Sequence, residues 1–206
     1  MVADPSSTLT ADVERSALKE WAVLVDAMAR GEIIAMVRKG GIREQRAGFA
    51  VRHDRFLLYP TYFHEKENEL APRFRPRLND AHADRPRPGY LRLEYVAEAV
   101  AVWPVHSLDP LRAIEESHGL DWSAVVSRFH YRQRPGVQVV AVRLHRLPQA
   151  VELPEIRRYG GCVSWVELDT DVSLAGARPV LDHDAFTRAM APLHAALGAP
   201  ERPREG

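Results

Sequence analysis

The chain has 206 residues, with 28 lysines and arginines against 28 aspartates and glutamates and 46% hydrophobic residues, which is ordinary for a globular domain with a buried core. The single cysteine, Cys162, excludes an internal disulfide framework and a Cys-x-x-Cys zinc site. No apolar run approaches the ~18 residues of a membrane helix, and the N-terminus carries no apolar signal segment, so the composition predicts a soluble cytoplasmic protein without membrane contact.

One globular domain is predicted over residues 11–198. Residues 1–10 and 199–206 are polar or charged, so we expect a disordered leader and a disordered tail there. Apolar residues recur at three- and four-residue spacing over 11–30, which predicts an amphipathic helix. Gly31 follows at the position where a left-handed residue commonly ends a helix.

The predicted strand 32–38 leads into a basic turn. Gly40 and Gly41 predict a tight turn that glycine adopts easily. Backbone N–H groups and flanking cations suit phosphate, although the Gly-x-x-x-x-Gly-Lys-Ser/Thr pattern of a P-loop is absent. A hairpin turn with solvated cations has the same composition. The flanking cations are Arg38, Lys39 and Arg43.

A hairpin and a long loop are predicted next. Residues 48–53 and 55–59 have the pattern of two hairpin strands, and 65–70 that of a short helical turn. The stretch 71–88 contains four prolines and five arginines. It predicts a long loop, and loops of this length often carry function.

A mixed sheet with helices is predicted for the rest of the chain. The strands are 90–105, 137–147 and 163–168, and the helices are 108–118 with Asp109 as its cap, 122–129, and 184–197 with Asp184 as its cap. Strands and helices do not alternate regularly, which excludes a doubly wound parallel sheet. The predicted fold class is α+β, a small mixed β-barrel with flanking helices.

Charge is distributed unevenly along the chain. Residues 30–92 contain 14 lysines and arginines against 8 aspartates and glutamates, and the remaining residues carry the opposite excess. A basic middle flanked by acidic ends predicts an anion-binding face. Arginines on solvated faces without a partner would give the same count.

Aromatic side chains follow the second predicted hairpin strand. Tyr59, Tyr62 and His64 come soon after the basic turn, where they would stack on a base or hydrogen-bond to it. Alternatively, the tyrosines cover the core and their hydroxyls are satisfied by the backbone. His130, Tyr131, Arg132 and Arg134 form a second basic-aromatic spot, which we expect on the far wall of the same cleft.

Four segments carry a family resemblance. They are Glu20-Trp21-Ala22-Val23, Arg38-Lys39-Gly40-Gly41-Ile42, Phe56-Leu57-Leu58-Tyr59-Pro60-Thr61 with His64, and Gly161-Cys162-Val163-Ser164-Trp165-Val166-Glu167-Leu168. Together they resemble an uncharacterised bacterial family, the domain-of-unknown-function family numbered 1802, over nearly the full length. That family supplies no established activity.

A more distant resemblance concerns the junction between the first helix and the first strand. Gly31 and Arg38 keep the seven-residue spacing found in ASCH domains, which are barrel relatives of the PUA fold with a ligand cleft at this junction. Ile33 and Met36 stand where that pattern has lysine and glutamate. The resemblance therefore implies a PUA/ASCH-like barrel without its chemistry.

These patterns favour a recognition module that binds RNA, DNA or a nucleotide through a basic-aromatic cleft, with no cofactor and no metal. One alternative is a divergent metal-dependent nuclease or phosphodiesterase, with Glu94, Glu98 and His64 as the first candidates. Another is an interaction subunit of a defence or regulatory system, which would hold a protein partner through the 71–88 loop. No complete catalytic motif decides whether the protein is an enzyme.

Overall fold

The computed structural model describes residues 13–39, 53–63, 66–161 and 163–201. The strands in these ranges are β1 (Val13–Trp21), β2 (Ala35–Arg38), β3 (Arg55–Thr61), β4 (Tyr90–Val105), β5 (Val137–Pro154), β6 (Trp165–Ser173) and β7 (Arg178–Pro179). The α-helices are α1 (Ala22–Ala29), α2 (Leu78–Ala83), α3 (Asp109–Ala113), α4 (Trp122–Phe129) and α5 (His183–Leu197). The predicted Gly40-Gly41 turn and most of the predicted strand 48–53 lie outside the described residues.

The strands form one sheet in the order β2-β5-β4-β3-β1-β6, and β7 pairs with β5. β1 and β3 run parallel, whereas the other neighbouring pairs run antiparallel. Helices lie between strands in no regular alternation. The predicted mixed α+β class is therefore confirmed.

The sheet is not closed into the predicted barrel in the described part of the chain. Its end strands are β2 and β6, and no backbone ladder joins them. β1 pairs with β3 on one edge and with β6 on the other, where the paired residues end at Leu18. The guanidinium of Arg38, at the end of β2, instead donates to the Lys19 carbonyl of β1 at 3.2 Å. The sheet therefore curls enough to bring β2 near β1, and the Arg38 side chain bridges the two strands.

The helix predicted over 11–30 is wrong in its first half, because β1 occupies Val13–Trp21 and only α1 is helical. Leu18 pairs with Leu58 on one side and with Trp165 on the other. Two ladders outweigh the helical spacing of a few apolar residues. Gly31 does follow the helix with a φ of +70°, as predicted.

The stretch 71–88 is not the predicted long loop. It forms a 3₁₀ helix at Pro72–Arg77 and then α2. Phe74 is fully buried and anchors the segment in the core. Arg75 donates to Asp121 at 3.0 Å, and Arg77 makes a bidentate pair with Glu32 at 2.6 and 2.7 Å. Long-range partners of this kind do not show in local composition.

Other predicted elements differ at their ends. β4 and α4 have the predicted bounds, whereas β5 continues past 147 to Pro154. The helix predicted over 108–118 is α3 followed by a 3₁₀ turn, and Asp109 is its first residue without a capping bond. Asp182, not Asp184, caps α5 by accepting from the Ala185 N–H at 2.7 Å. Glu201, in the predicted tail, exchanges two backbone hydrogen bonds with Val102.

The buried side chains form two apolar clusters. The larger one joins the sheet to α1, α4 and α5 and includes Phe56, Phe74 and Trp103. The smaller one includes Tyr59 and Tyr159 and borders the cleft described below. None of the described helices combines the length and apolarity needed to cross a membrane.

Candidate functional site

A cleft of about 650 Å³ lies at the edge of the sheet where β1 and β3 end and where β4 begins beside the end of β5. We call it the edge cleft. Its described lining residues are Lys19, Glu20, Trp21, Arg38, Lys39, Tyr59, Pro60, Thr61, Tyr62, Phe63, Arg85, Tyr90, Leu91, Ser127, Arg128, Tyr131, Glu155, Gly160, Gly161, Val163 and Ser164. Parallel pairing brings the ends of β1 and β3 together, so segments distant in sequence meet there.

The edge cleft is basic and aromatic. Its described lining residues include five cationic side chains, two carboxylates and six aromatic side chains. A concave surface with an excess of one charge focuses the field and attracts the opposite charge. The cations are Lys19, Arg38, Lys39, Arg85 and Arg128, and the carboxylates are Glu20 and Glu155.

A buried ion pair forms the floor of the edge cleft. The Glu20 side chain is 5% exposed and that of Arg38 13%, and Arg38 Nη1 lies 3.1 Å from Glu20 Oε2. Arg128 donates to the Val37 carbonyl at 3.0 Å. Burial lowers the pKa of Arg128, an effect that Glu20 opposes and Arg38 reinforces. The charge of Arg38, a predicted phosphate contact, is therefore largely balanced inside the protein.

Lys39, another predicted phosphate contact, holds the loop after α4. Its ammonium donates to the backbone carbonyls of Phe129, Arg134 and Gly136. An ammonium has three N–H donors, so these three carbonyls use all of them. Burial, together with the nearby charge of Arg134, lowers the pKa of Lys39. The predicted partners Gly40, Gly41 and Arg43 lie outside the described residues.

Tyr59 lines the edge cleft but its ring is buried. Its hydroxyl donates to Glu155. Burial first, and then this hydrogen bond, raises the pKa of Tyr59 well above its usual range. This tyrosine covers the core, as the alternative interpretation has it, although its partner is a side chain and not the backbone.

Exposed aromatic side chains lie at the mouth of the edge cleft. Phe63 is 60% exposed and Tyr131 is 42% exposed. The Arg85 guanidinium lies over two rings, 4.7 Å from the centroid of Phe63 and 5.4 Å from that of Tyr62. Neither Phe63 nor Arg85 was predicted from the sequence as a site residue. Arg85 could have been predicted from its position among the arginines and prolines of 71–88, but that stretch was interpreted as a loop.

The second predicted basic-aromatic spot reaches the edge cleft through one residue. Tyr131 lines the cleft, whereas His130 and Arg132 do not. His130 packs edge-on against Phe129 at 5.0 Å, and the Arg132 guanidinium lies 5.2 Å from the Tyr131 ring centroid. Arg132 has a left-handed φ of 57°. His64, from the first spot, lies outside the described residues.

The sequence model of one family, "Domain of unknown function (DUF1802)", matches residues 17–191. The chain belongs to the DUF1802 family. The resemblance predicted from the four sequence segments is thus confirmed. No curated protein matches the chain.

Among solved structures, this DUF1802 chain is similar to the ASCH protein from Zymomonas mobilis, in a crystal structure with 12% sequence identity and a TM-score of 0.43. The similarity covers 86% of this chain and 94% of that one.

The carboxylates proposed for a nuclease lie outside the edge cleft of this DUF1802 chain. Glu94 contacts Arg92 at 2.9 Å and Arg146 at 3.6 Å, and Glu98 lies 3.6 Å from the ring of His145. The interaction with His145 lowers the pKa of Glu98. Across the four described ranges, no three His, Cys, Asp or Glu side chains are grouped so as to hold a metal ion.

Proposed function

We propose that the edge cleft binds a nucleotide unit, either in a nucleic acid or as a free nucleotide. The observation that carries this proposal is Arg85, which lies over Tyr62 and the exposed Phe63 at the cleft mouth. Its guanidinium has no hydrogen-bond acceptor and no acidic partner among the described residues. A cation in contact with an exposed ring offers one group that can bind the phosphate of a nucleotide and one that can stack on its base.

The chemistry of the two groups supports this assignment. A guanidinium stacked on a ring keeps its N–H donors in the plane, where they bind phosphate oxygens in pairs. Exposed rings such as Phe63 and Tyr131 stack on bases of any identity, because every base has a π-face. A cleft of about 650 Å³ is in the range of small-ligand sites, which span roughly 300–1,000 Å³. The base must be unpaired to enter it.

The cations divide into two groups with different roles. Arg38 and Lys39 have internal partners, Glu20 and three carbonyls, so we assign them to the framework of the cleft. Arg85 takes the phosphate contact that the sequence pattern gave to the basic turn. The ligand class predicted from the sequence is unchanged, but Arg85 replaces Arg38 and Lys39 as the residue that binds phosphate.

Binding of fluorescent single-stranded RNA and DNA, with competition by nucleoside monophosphates, tests the proposal. We expect Arg85→Ser and Phe63→Leu each to weaken binding by about 10-fold, since a charge-assisted hydrogen bond or a stacked base contributes about 1–3 kcal/mol. Arg188→Ser and Val100→Ala are matched controls, because they alter an exposed arginine and a partly exposed apolar residue outside the cleft. The proposal fails if no probe binds the folded protein, or if the cleft variants bind like the controls.

A further inference from the structure

We infer that the ligand is a single-stranded nucleic acid longer than one nucleotide, and not a free nucleotide. This inference rests on the proposed function of the edge cleft. It comes from arginines that surround the cleft without lining it: Arg87, Arg132 and Arg157, called the rim arginines below. All three are exposed, and they come from three separate segments of the chain.

Each rim arginine is adjacent to a residue of the cleft wall. The Arg87 guanidinium lies 3.6 Å from the ring centroid of Tyr90, and that of Arg132 lies 5.2 Å from the centroid of Tyr131. Arg157 begins the 3₁₀ turn Arg157–Tyr159, and its carbonyl accepts from the Gly160 N–H at 3.1 Å. Tyr90, Tyr131 and Gly160 line the cleft, so two of the rim guanidiniums lie against its wall and Arg157 belongs to the turn that leads into it.

The pairing of charges distinguishes the rim from the rest of the surface. Most of the exposed arginines elsewhere in the described ranges have carboxylate partners, as in Arg15 with Asp171 and Arg112 with Glu115. In the described ranges, seven arginine guanidiniums have neither a hydrogen-bond acceptor nor an acidic partner. They are Arg85, Arg87, Arg132, Arg134, Arg157, Arg178 and Arg188. Five of these seven belong to the segments that form the cleft and its rim.

Cations on three separate segments need several anionic groups. One nucleotide presents its phosphate at a single place, and Arg85 at the cleft mouth already meets that need. A single strand carries one phosphate per nucleotide and leaves its bases free for the exposed rings. Contact with the rings of Tyr90 and Tyr131 holds the Arg87 and Arg132 guanidiniums at the cleft and leaves N–H donors available to phosphate. The rim therefore fits a strand that runs across the cleft mouth.

A length series tests the inference. The probes are a nucleoside monophosphate, a trinucleotide and a nonanucleotide, each as RNA and as DNA so that the sugar preference is read separately. We expect the wild type to bind the nonanucleotide at least about 10-fold more tightly than the monophosphate. The triple variant Arg87→Ser/Arg132→Ser/Arg157→Ser is expected to lose this gain and to bind the monophosphate as the wild type does.

Salt dependence gives a second readout. Each phosphate contact to a single strand contributes about 0.7 to the slope of log affinity against log salt, so the triple variant is expected to lose about 2 from that slope. Arg178→Ser/Arg188→Ser removes two equally unpaired arginines, on β7 and α5, and is expected to change the slope less. Equal affinity for monophosphate and nonanucleotide, or an equal loss of slope in the control, would overturn the inference and leave the proposed function standing. Failure of every probe to bind would overturn both.

Discussion

The guanidinium of Arg38 and the carboxylate of Glu20 meet at 3.1 Å across a gap that the backbone of the sheet does not close. Arg38 ends β2, at one end of the sheet, and Glu20 lies in β1, which pairs with β3 and with β6. This ion pair and the hydrogen bond from Arg38 to the Lys19 carbonyl link β2 to β1, two strands that share no ladder in the described ranges. It also forms the floor of the edge cleft, so the same contact shapes the fold and the site.

The Glu20–Arg38 pair is predicted to be strongly coupled. Arg38→Met removes the cation that pairs with the buried Glu20 carboxylate, and Glu20→Gln removes the negative charge that pairs with Arg38 and lies near Arg128. Each change is expected to lower the free energy of unfolding by about 3–5 kcal/mol, because an uncompensated buried charge is costly. The double variant Glu20→Gln/Arg38→Met is expected to lose clearly less than the sum, as measured by urea denaturation in a double-mutant cycle.

Arg30→Met and Asp26→Asn, singly and together, are the control cycle for that experiment. Their pair joins Asp26 inside α1 to Arg30 just after it, at 3.0 Å and near the surface, where ion pairs contribute about 0–1 kcal/mol. Additive losses in the Glu20–Arg38 cycle would contradict a role for the pair in holding β2 against β1.

Lys39 is predicted to fix the wall of the edge cleft that carries Tyr131. Lys39→Met removes three hydrogen bonds to the carbonyls of Phe129, Arg134 and Gly136. We expect faster amide hydrogen exchange over residues 130–136, together with a stability loss of about 1–3 kcal/mol. The left-handed Arg132 and Gln133 make this loop costly to hold, since such residues store about 1–3 kcal/mol each.

Lys66→Met is the matched control for Lys39, because its side chain is 64% exposed and its salt-bridge partner among the described residues is Glu69, three residues away. It is expected to change neither loop exchange nor stability measurably. Unchanged exchange over 130–136 in Lys39→Met would show that the loop holds its shape without the lysine.

His118 is predicted to destabilise the protein in mild acid. Its ring is 1% exposed, Nδ1 accepts from the Leu120 N–H at 3.2 Å, and Nε2 has no partner among the described residues. Burial first, then the charges of Arg128 and Arg73, lower the pKa of His118 to about 4. In the unfolded chain the histidine pKa is near 6.5, so the unfolded state binds the proton at a higher pH than the folded state does. Lowering the pH therefore stabilises the unfolded state relative to the folded state.

The expected result is a free energy of unfolding that falls between pH 6.5 and about 4, by on the order of 3 kcal/mol in all. Above pH 6.5 the ring is neutral in both states and contributes no pH dependence. His118→Asn keeps an acceptor for the Leu120 N–H and removes the titration. Comparison between pH 6.5 and 5 avoids carboxylates such as Asp121 and Glu98, whose pKa values are lowered and which protonate in more acidic solution. Identical pH slopes for the variant and the wild type would refute the assignment.

Local patterns predicted the elements whose character is set within one segment. β4, at Tyr90–Val105, and α4, at Trp122–Phe129, have the predicted bounds, because a long branched run and a compact apolar face leave little choice of conformation. The N-terminal segment failed for the opposite reason. Its spacing suits a helix, and only β3 and β6, which come later in the chain, make Val13–Trp21 a strand.

The candidate site shows the same division. The sequence indicated Arg38, Lys39, Tyr59 and Tyr62, and all four line the edge cleft. It offered no means of ranking them, because availability to a ligand depends on which acceptors fold beside each cation. Glu20 balances Arg38, and three carbonyls use the donors of Lys39. Arg85 has no such partner in the described ranges.

By itself, the sequence determined the family, the mixed α+β class and the basic-aromatic character of residues 30–92, because these depend on residue identity and short-range spacing. Within the described part of the chain, only the tertiary structure decided that the sheet stays open, that the 71–88 stretch packs around Phe74, and which arginines are left unpaired around the cleft. These properties depend on contacts between residues far apart in the chain, whose electrostatic and packing energies exceed any local preference.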